Sequence, residues 1–305
     1  LLGGPQAGII LGKTALVRHL LSEGAYASYS DLTDEMTRAR AESDLAGWLA
    51  SLARPAAVDE AQLIPELATA VKRDIDASLI GTHQFLLTGS SVVGRGTMGG
   101  SDPLAGRSVR LRLLPFTRGE LAQHQGHLPS LVDLLFDGPM HPASAPLVER
   151  SRLIRDLRQG GVPAYCLPGT AVAPTLLNSR IQADVTALLG DRVIPGESFD
   201  GARAQRVLDA VARTPGGILN KSRLAGDLGI DVRTLTSYLD IAERRFLLAP
   251  LHNAAGGASS TSRTRPKIHP TDTSIACESL ARAGHDIADS PELLGQVLES
   301  WVVQQ

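Results

Sequence analysis

The triplet Gly12-Lys13-Thr14 carries the residue types that bind the phosphates of a nucleotide. In such a triplet the lysine contacts phosphate oxygens, the threonine hydroxyl is a ligand of Mg²⁺, and the backbone N–H groups of the preceding loop surround the phosphates. Ala7 stands five residues before Gly12, which satisfies a relaxed form of the spacing that this chemistry requires. The same pattern also arises by chance where a turn precedes a helix, so the triplet needs independent support.

An acidic pair supplies that support. The segment RPAAVDEAQ, residues 54–62, predicts a short apolar strand that ends in Asp59 and Glu60. At the carboxyl end of such a strand, Asp59 would hold the hydration shell of Mg²⁺ beside Thr14. Glu60 would polarise a water molecule for attack on a phosphate. Together the two motifs predict an ATPase site, with ATP and Mg²⁺ as the expected cofactors.

A third apolar stretch, QFLLTGSS at residues 84–91, ends in small hydroxyl residues. In ATPases built this way, a polar residue at this strand end senses the γ-phosphate, and the candidates are Thr88 and Ser90. The alternative is an ordinary strand followed by a Gly-Ser turn, and the sequence leaves both interpretations open.

The elements that must position these residues alternate between strands and helices over residues 9–115, which predicts βαβ units and a parallel sheet. The predicted strands are 9–11, 25–30, 56–58, 85–88 and 109–114. The predicted helices are 14–23, 32–52 (with a break inside it) and 65–78.

The residues directly before the triplet, Ile9-Ile10-Leu11, do not suit a phosphate loop. Two of them are β-branched and favour extended backbone over the tight turns that surround a phosphate. They suit the buried first strand of the sheet instead, and this interpretation predicts that about four or five loop residues are missing next to Gly12. A continuous chain would favour the alternative, a degenerate site that does not hydrolyse nucleotide.

Residues 219–248 have the pattern of a helix-turn-helix, with Ala225, Gly229 and Leu235 at the close-contact, turn and second-helix core positions. The chain that follows is expected to form a wing, which makes double-stranded DNA one expected partner. The residues that would contact DNA are Arg233, Thr234, Thr236, Arg263, Arg265 and Lys267. Because winged helices also serve ATPases as lids or packing modules, a role without DNA stays open.

The composition of the 305 residues is that of a globular protein, with 43% hydrophobic residues, 20% charged residues and a net charge of −2. This balance requires any contact with nucleic acid to come from a local patch. No apolar run approaches the ~18 residues that cross a bilayer, so no membrane partner is expected. Cys166 and Cys277 match no metal or redox spacing, and we expect both to be reduced and buried in a cytoplasmic protein.

Over nearly its whole length the chain resembles the bacterial and archaeal AAA-type P-loop ATPases that carry a C-terminal domain of unknown function, number 4143. The resemblance rests on segments that occur in the family's order: GKTALVRHLL, RPAAVDEAQLIPEL, FLLTGSS, DPLAGRSVRLRLLPFTRGEL, LRQGGVPAY, HPTDTSIA and PELLGQVLESWVVQQ. It implies that Lys13, Thr14, Asp59 and Glu60 are nucleotide and magnesium residues. It also implies that Arg107 neutralises phosphate charge, in cis or across a subunit interface of a homo-oligomer; a solvated surface arginine is the alternative.

The predicted fold class is α/β, a P-loop NTPase core with a parallel sheet, followed by a helical region and a winged helix-turn-helix. The predicted domains are 1–125 (ATPase), 126–200 (helical region), 201–252 (winged helix-turn-helix) and 253–305 (a flexible basic segment and the start of an incomplete C-terminal domain). The predicted function is Mg²⁺-dependent hydrolysis of ATP to ADP and phosphate, coupled to a conformational switch and, in one interpretation, acting on DNA. The alternative is a module that binds DNA or a partner protein and contains a degenerate ATPase core.

Overall fold

A computed structural model gives the arrangement of the chain. The residues that it describes are 7–77, 84–89, 103–121, 148–167, 173–190, 200–252 and 265–304.

Three short strands form a parallel sheet in the first part of the chain. They are β1 (Ser28–Asp31), β2 (Ala56–Asp59) and β3 (Phe85–Leu87). β2 lies in the middle, and all four of its residues are buried. The register pairs Asp31 with Asp59 and Val58 with Leu87, so the carboxyl ends of the three strands meet at one edge of the sheet. That edge is where ligands bind in open sheets of this kind.

Four helices accompany this sheet: α1 (Ala7–Ser22), α2 (Glu35–Ser43), α3 (Leu45–Ser51) and α4 (Leu67–Ala77). The core between helices and sheet is apolar and includes Trp48, Leu49, Leu67 and Val71. Asp44 separates α2 from α3, because its carboxylate accepts the N–H of Gly47 at 2.9 Å and so begins a new helix.

Most predicted elements of this part are confirmed. The strands predicted at 56–58 and 85–88 are β2 and β3, and the strand predicted at 25–30 is found slightly later, as β1. The broken helix predicted at 32–52 is the pair α2 and α3, and the helix predicted at 65–78 is α4.

The strand predicted at Ile9–Leu11 is wrong. These residues lie inside α1, a continuous helix from Ala7 to Ser22 that packs against helices from the second half of the chain. A short apolar run fits a buried strand or a buried helix equally well, and packing decides between them. The number of loop residues next to Gly12 stays a prediction.

The strand predicted at 109–114 is also wrong. Residues 108–117 are irregular, and no strand among the described residues pairs with them. Val109 and Leu111 are 88% and 81% exposed, so this alternating pattern lacks the buried face that would make it a strand.

The second half of the chain is mainly helical. Its helices are α5 (Arg118–Leu121), α6 (Arg150–Gln159), α7 (Pro163–Cys166), α8 (Pro174–Gly190), α9 (Gly201–Ala212), α10 (Lys221–Leu228), α11 (Val232–Arg244), α12 (Thr273–Arg282) and α13 (Pro291–Gln304). A three-stranded antiparallel sheet accompanies them, with β4 (Gly217–Ile218), β6 (Lys267–Pro270) and β5 (Leu248–Leu251) in that spatial order.

The predicted turn between α10 and α11 is confirmed. Gly229 has a φ of 64°, a left-handed conformation that glycine adopts without steric cost, and it ends α10. Asp231 then caps α11 by accepting the N–H groups of Arg233 and Thr234, both at 2.9 Å. Leu235 of α11 is fully buried in the core that α8, α9 and α11 share.

A buried carboxylate ties α12 to the loop between α6 and α7. Asp272 is fully buried and accepts the N–H of Gly161, 111 residues earlier, at 2.8 Å. The backbone N–H of Phe116 donates to the carbonyl of the same glycine, also at 2.8 Å. α7 in turn packs against α1, so the second half of the chain contacts the helix that carries Lys13.

None of the helices within the described ranges is both long enough and apolar enough to cross a bilayer.

Candidate nucleotide site

Asp59 lies at the centre of the polar edge of the parallel sheet and is only 2% exposed. Its carboxylate accepts hydrogen bonds from one side chain on β1 and from one side chain just after β3. Tyr29 of β1 donates its phenol O–H to Oδ2 at 3.2 Å, and the hydroxyl of Thr88, just after β3, donates to Oδ1. The backbone N–H of Glu60 also donates to Oδ1, at 3.1 Å. A buried carboxylate with both oxygens engaged is held in one orientation.

Glu60 follows in a conformation that few side chains adopt. Its φ and ψ of 54° and 41° lie in the left-handed region, where a non-glycine residue carries backbone strain. The following N–H, of Ala61, donates to the carbonyl of Thr88 at 2.8 Å and fixes the turn. The side chain of Gln62 donates to Oε2 of Glu60. Strain held in place by surrounding hydrogen bonds is frequent at functional sites.

Lys13 reaches the same edge from α1. Its side chain is 8% exposed, and its ammonium donates to the carbonyl of Gly89 just beyond β3. Burial lowers the pKa of Lys13 to about 8, although the negative charges of Glu60 and Asp59 act in the opposite direction. Lys13, Asp59, Glu60 and Thr88 therefore form one cluster, in which Lys13 comes from a helix and the other three from the ends of β2 and β3.

The other predicted nucleotide residues are placed as follows. Gly12 and Thr14 flank Lys13 within α1. Arg107 pairs with Asp76 of α4 at 2.6 Å in a largely exposed position, and its role toward phosphate stays a prediction. Ser90 lies outside the described residues.

Among the residues predicted to contact DNA, several already have partners within the protein. Thr234 donates its hydroxyl to Asp231, and Thr236 donates its hydroxyl to the carbonyl of Val232 at 2.8 Å. Lys267 of β6 forms an ion pair with Glu299. Arg233 and Arg265 are exposed, and Arg263 lies outside the described residues.

Tyr29 and Gly89 were missed in the sequence. Gly89 acts through its carbonyl, which no side-chain pattern reveals. Tyr29 stands two residues before the end of β1, and a polar side chain at such a position is a signal for the carboxyl edge of a sheet. Tyr29 could be recognised from this signal only with the knowledge that β1 pairs with β2.

The side chains at this edge of the sheet have part of the chemistry that a site for Mg²⁺ and phosphate requires. Carboxylate and hydroxyl oxygens, as on Asp59 and Thr88, are the ligand types that Mg²⁺ takes together with phosphate oxygens and water. Within the described ranges, no group of three or more His, Cys, Asp and Glu is placed to hold a metal ion. The backbone of residues 7–22 is helical and forms no phosphate loop. The side chains thus fit the metal and the phosphate charge, whereas the helical backbone of residues 7–22 does not supply a phosphate loop.

Two family models match segments of the chain. Residues 10–122 match the family model of an AAA domain, which supports an AAA-type ATPase domain and nucleotide binding in this part of the chain. Residues 175–286 match the model of a domain of unknown function (DUF8612). The resemblance to domain number 4143 is not confirmed by this match. No curated protein and no solved structure matches the chain.

Proposed function

We propose that this protein binds ATP with Mg²⁺ at the carboxyl edge of its parallel sheet and hydrolyses it to ADP and phosphate. One observation carries the proposal. Within the segment that matches an AAA domain, a buried Asp59 and a strained Glu60 lie beside the buried ammonium of Lys13. A cluster of opposite charges at a strand end costs stability and is retained where it has a use.

Each residue has a role that follows from its chemistry. Bound Mg²⁺ would neutralise negative charge on the phosphates. Asp59 would hold the ion's hydration shell, with Thr14 as a further oxygen ligand. Lys13 would exchange the carbonyl of Gly89 for a phosphate oxygen, and Glu60 would accept a proton from the attacking water.

The conformational switch of this proposal centres on α1. Its helical backbone offers no phosphate cradle, so residues around Gly12 must leave the helix when a nucleotide binds. α1 packs against α7 and α8, and a change in α1 would therefore reach the second half of the chain. ATP would bias the protein toward the rearranged state by the difference in its affinity for the two states.

The test is steady-state hydrolysis of ATP by Glu60→Gln. Removal of a general base lowers a rate by about 10²- to 10⁴-fold. We expect hydrolysis to fall by at least about 100-fold, while the affinity for ATP, measured by titration calorimetry, stays within a few-fold. Glu66→Gln is the matched control, since this exposed carboxylate precedes α4 and lies outside the cluster. Undiminished turnover in Glu60→Gln would remove the assignment of the base.

A second candidate is a DNA-binding or partner-binding module with an inactive ATPase core. The observation that favours it is topology. α9, α10 and α11 with the sheet order β4-β6-β5 have the arrangement that we infer to be a winged helix-turn-helix. Arg233 is exposed at the start of α11, but Asp227, Asp231 and Asp240 on the same two helices reduce the positive charge.

Measurements of ATP binding, ATP hydrolysis and DNA binding on one protein sample distinguish the two candidates. Wild-type protein with no ATP binding in the presence of Mg²⁺, but with DNA affinity that falls steeply as salt rises, would favour the second candidate. Hydrolysis that depends on Glu60 would favour the first. If Arg107 acts across a subunit interface, Arg107→Ala should lower hydrolysis only under conditions in which light scattering detects an oligomer. This would require Arg107 to exchange its pairing with Asp76.

A further inference from the structure

Tyr29 of β1 donates a hydrogen bond to the Asp59 carboxylate. The parallel register places Tyr29 beside Ala57, and it places Asp31 beside Asp59. Side chains two residues apart in a strand share a face, so Tyr29 and Asp59 are diagonal neighbours on the same face of the sheet. A diagonal neighbour lies too far away for a short side chain but within reach of an aromatic one. The phenol oxygen is 3.2 Å from Oδ2 of Asp59.

The two oxygens of Asp59 are therefore held from opposite sides. Thr88, on the β3 side, donates to Oδ1, and Tyr29, on the β1 side, donates to Oδ2. Without the phenol, Oδ2 would lose a hydrogen bond that restrains rotation of the carboxylate about its Cβ–Cγ bond.

We propose that Tyr29 is a positioning residue that holds the Asp59 carboxylate in the orientation that Mg²⁺ requires, an inference that rests on the proposed function. Tyr29 does not touch the reacting atoms. It acts through Asp59, as the hydrogen-bonded partners of metal-binding carboxylates do in other proteins. Loss of such a partner typically lowers metal affinity by about 10- to 100-fold.

The variant that isolates this hydrogen bond is Tyr29→Phe, which removes one oxygen and keeps the ring that packs at the sheet edge. Tyr26→Phe is the matched control. It makes the same chemical change three residues earlier, and within the described part of the chain the phenol of Tyr26 has no hydrogen bond to Asp59. Both variants should retain the thermal unfolding temperature of the wild type within a few degrees.

The experiment measures ATP hydrolysis as a function of free Mg²⁺ at a fixed, saturating ATP concentration, and it measures the affinity for ATP by titration with Mg²⁺ and in EDTA. For Tyr29→Phe we expect the half-saturating Mg²⁺ concentration to rise by about 10-fold. The affinity for ATP in EDTA should not change, and Tyr26→Phe should behave as the wild type.

Two results would overturn the inference. One is a half-saturating Mg²⁺ concentration for Tyr29→Phe that equals that of the wild type. The other is a lower maximal rate with unchanged Mg²⁺ dependence, which would indicate a general structural role. Failure of the proposed function is distinguishable, because the wild type and Tyr26→Phe would then also show no Mg²⁺-dependent binding or hydrolysis.

Discussion

Replacement of Lys13 by methionine should make the protein more stable at pH 7 while abolishing its proposed affinity for ATP. Lys13 is 8% exposed, and burial lowers the pKa of its ammonium from an ordinary 10.5 to about 8. At about 1.4 kcal/mol per pKa unit, keeping the buried ammonium charged costs about 3 kcal/mol. Methionine has a similar length and carries no charge, so Lys13→Met removes this cost.

One loss partly offsets the gain. The variant also loses the hydrogen bond to the carbonyl of Gly89, which is part-exposed and can bond to water instead. This loss costs about 1 kcal/mol. We therefore expect Lys13→Met to raise the free energy of unfolding by about 2 kcal/mol at pH 7.

The dependence on pH gives the sharper test. Below pH 8 the lysine is protonated in both the folded and the unfolded state, and the full cost is present. Between about pH 8 and 10.5 only the unfolded state keeps the proton, so the stability of the wild type rises with pH relative to the variant. Above pH 10.5 the cost is absent, and the stabilising effect of the methionine should have disappeared.

The assay is urea unfolding of wild type and variant at several pH values from 7 to 11. Lys221→Met is the control, because Lys221 is exposed at the start of α10 and its replacement should leave the pH dependence unchanged. The reasoning is refuted if Lys13→Met is less stable than the wild type at pH 7 with the same pH dependence. Attraction to Glu60 and Asp59 would then outweigh the cost of burial.

The remaining predictions concern the second half of the chain. Gly160→Ala should lower the free energy of unfolding by about 3 kcal/mol or more, because a Cβ there would lie 1.9 Å from Oδ1 of the buried Asp272 at a φ of 67°. Gly226→Ala should instead raise the free energy of unfolding by about 0.5–1 kcal/mol, because the new methyl group inside α10 would have open space around it. Asp209→Ala should lower the free energy of unfolding by about 2 kcal/mol, because the buried Ser279 loses the acceptor of its hydroxyl and Arg282 keeps only its ion pair with Glu278; an unfolding midpoint equal to that of the wild type would contradict this.

Much of the first half could be predicted from the sequence because its signals are local. β2 and β3 are short apolar runs bounded by polar residues, and their ends place Asp59 and Thr88 at one edge once the strands are parallel. The break between α2 and α3 follows from the capping residue Asp44, and the end of α10 follows from Gly229. Propensity, capping and turn chemistry act within a few residues, and sequence spacing records them.

Tertiary structure decided the features that depend on contacts with other segments of the chain. Ile9–Leu11 lie in α1, a helix that packs against α7 and α8, although their residue types equally suit a strand. Residues 109–114 alternate as a strand does, yet no neighbour among the described residues completes the hydrogen bonding. The contacts of Asp59 with Tyr29 and of Asp272 with Gly161 join residues 30 and 111 positions apart. The residues that could do chemistry at the sheet edge were recognisable in the sequence, whereas their partners depend on contacts between distant segments, for which a single sequence carries no local signal.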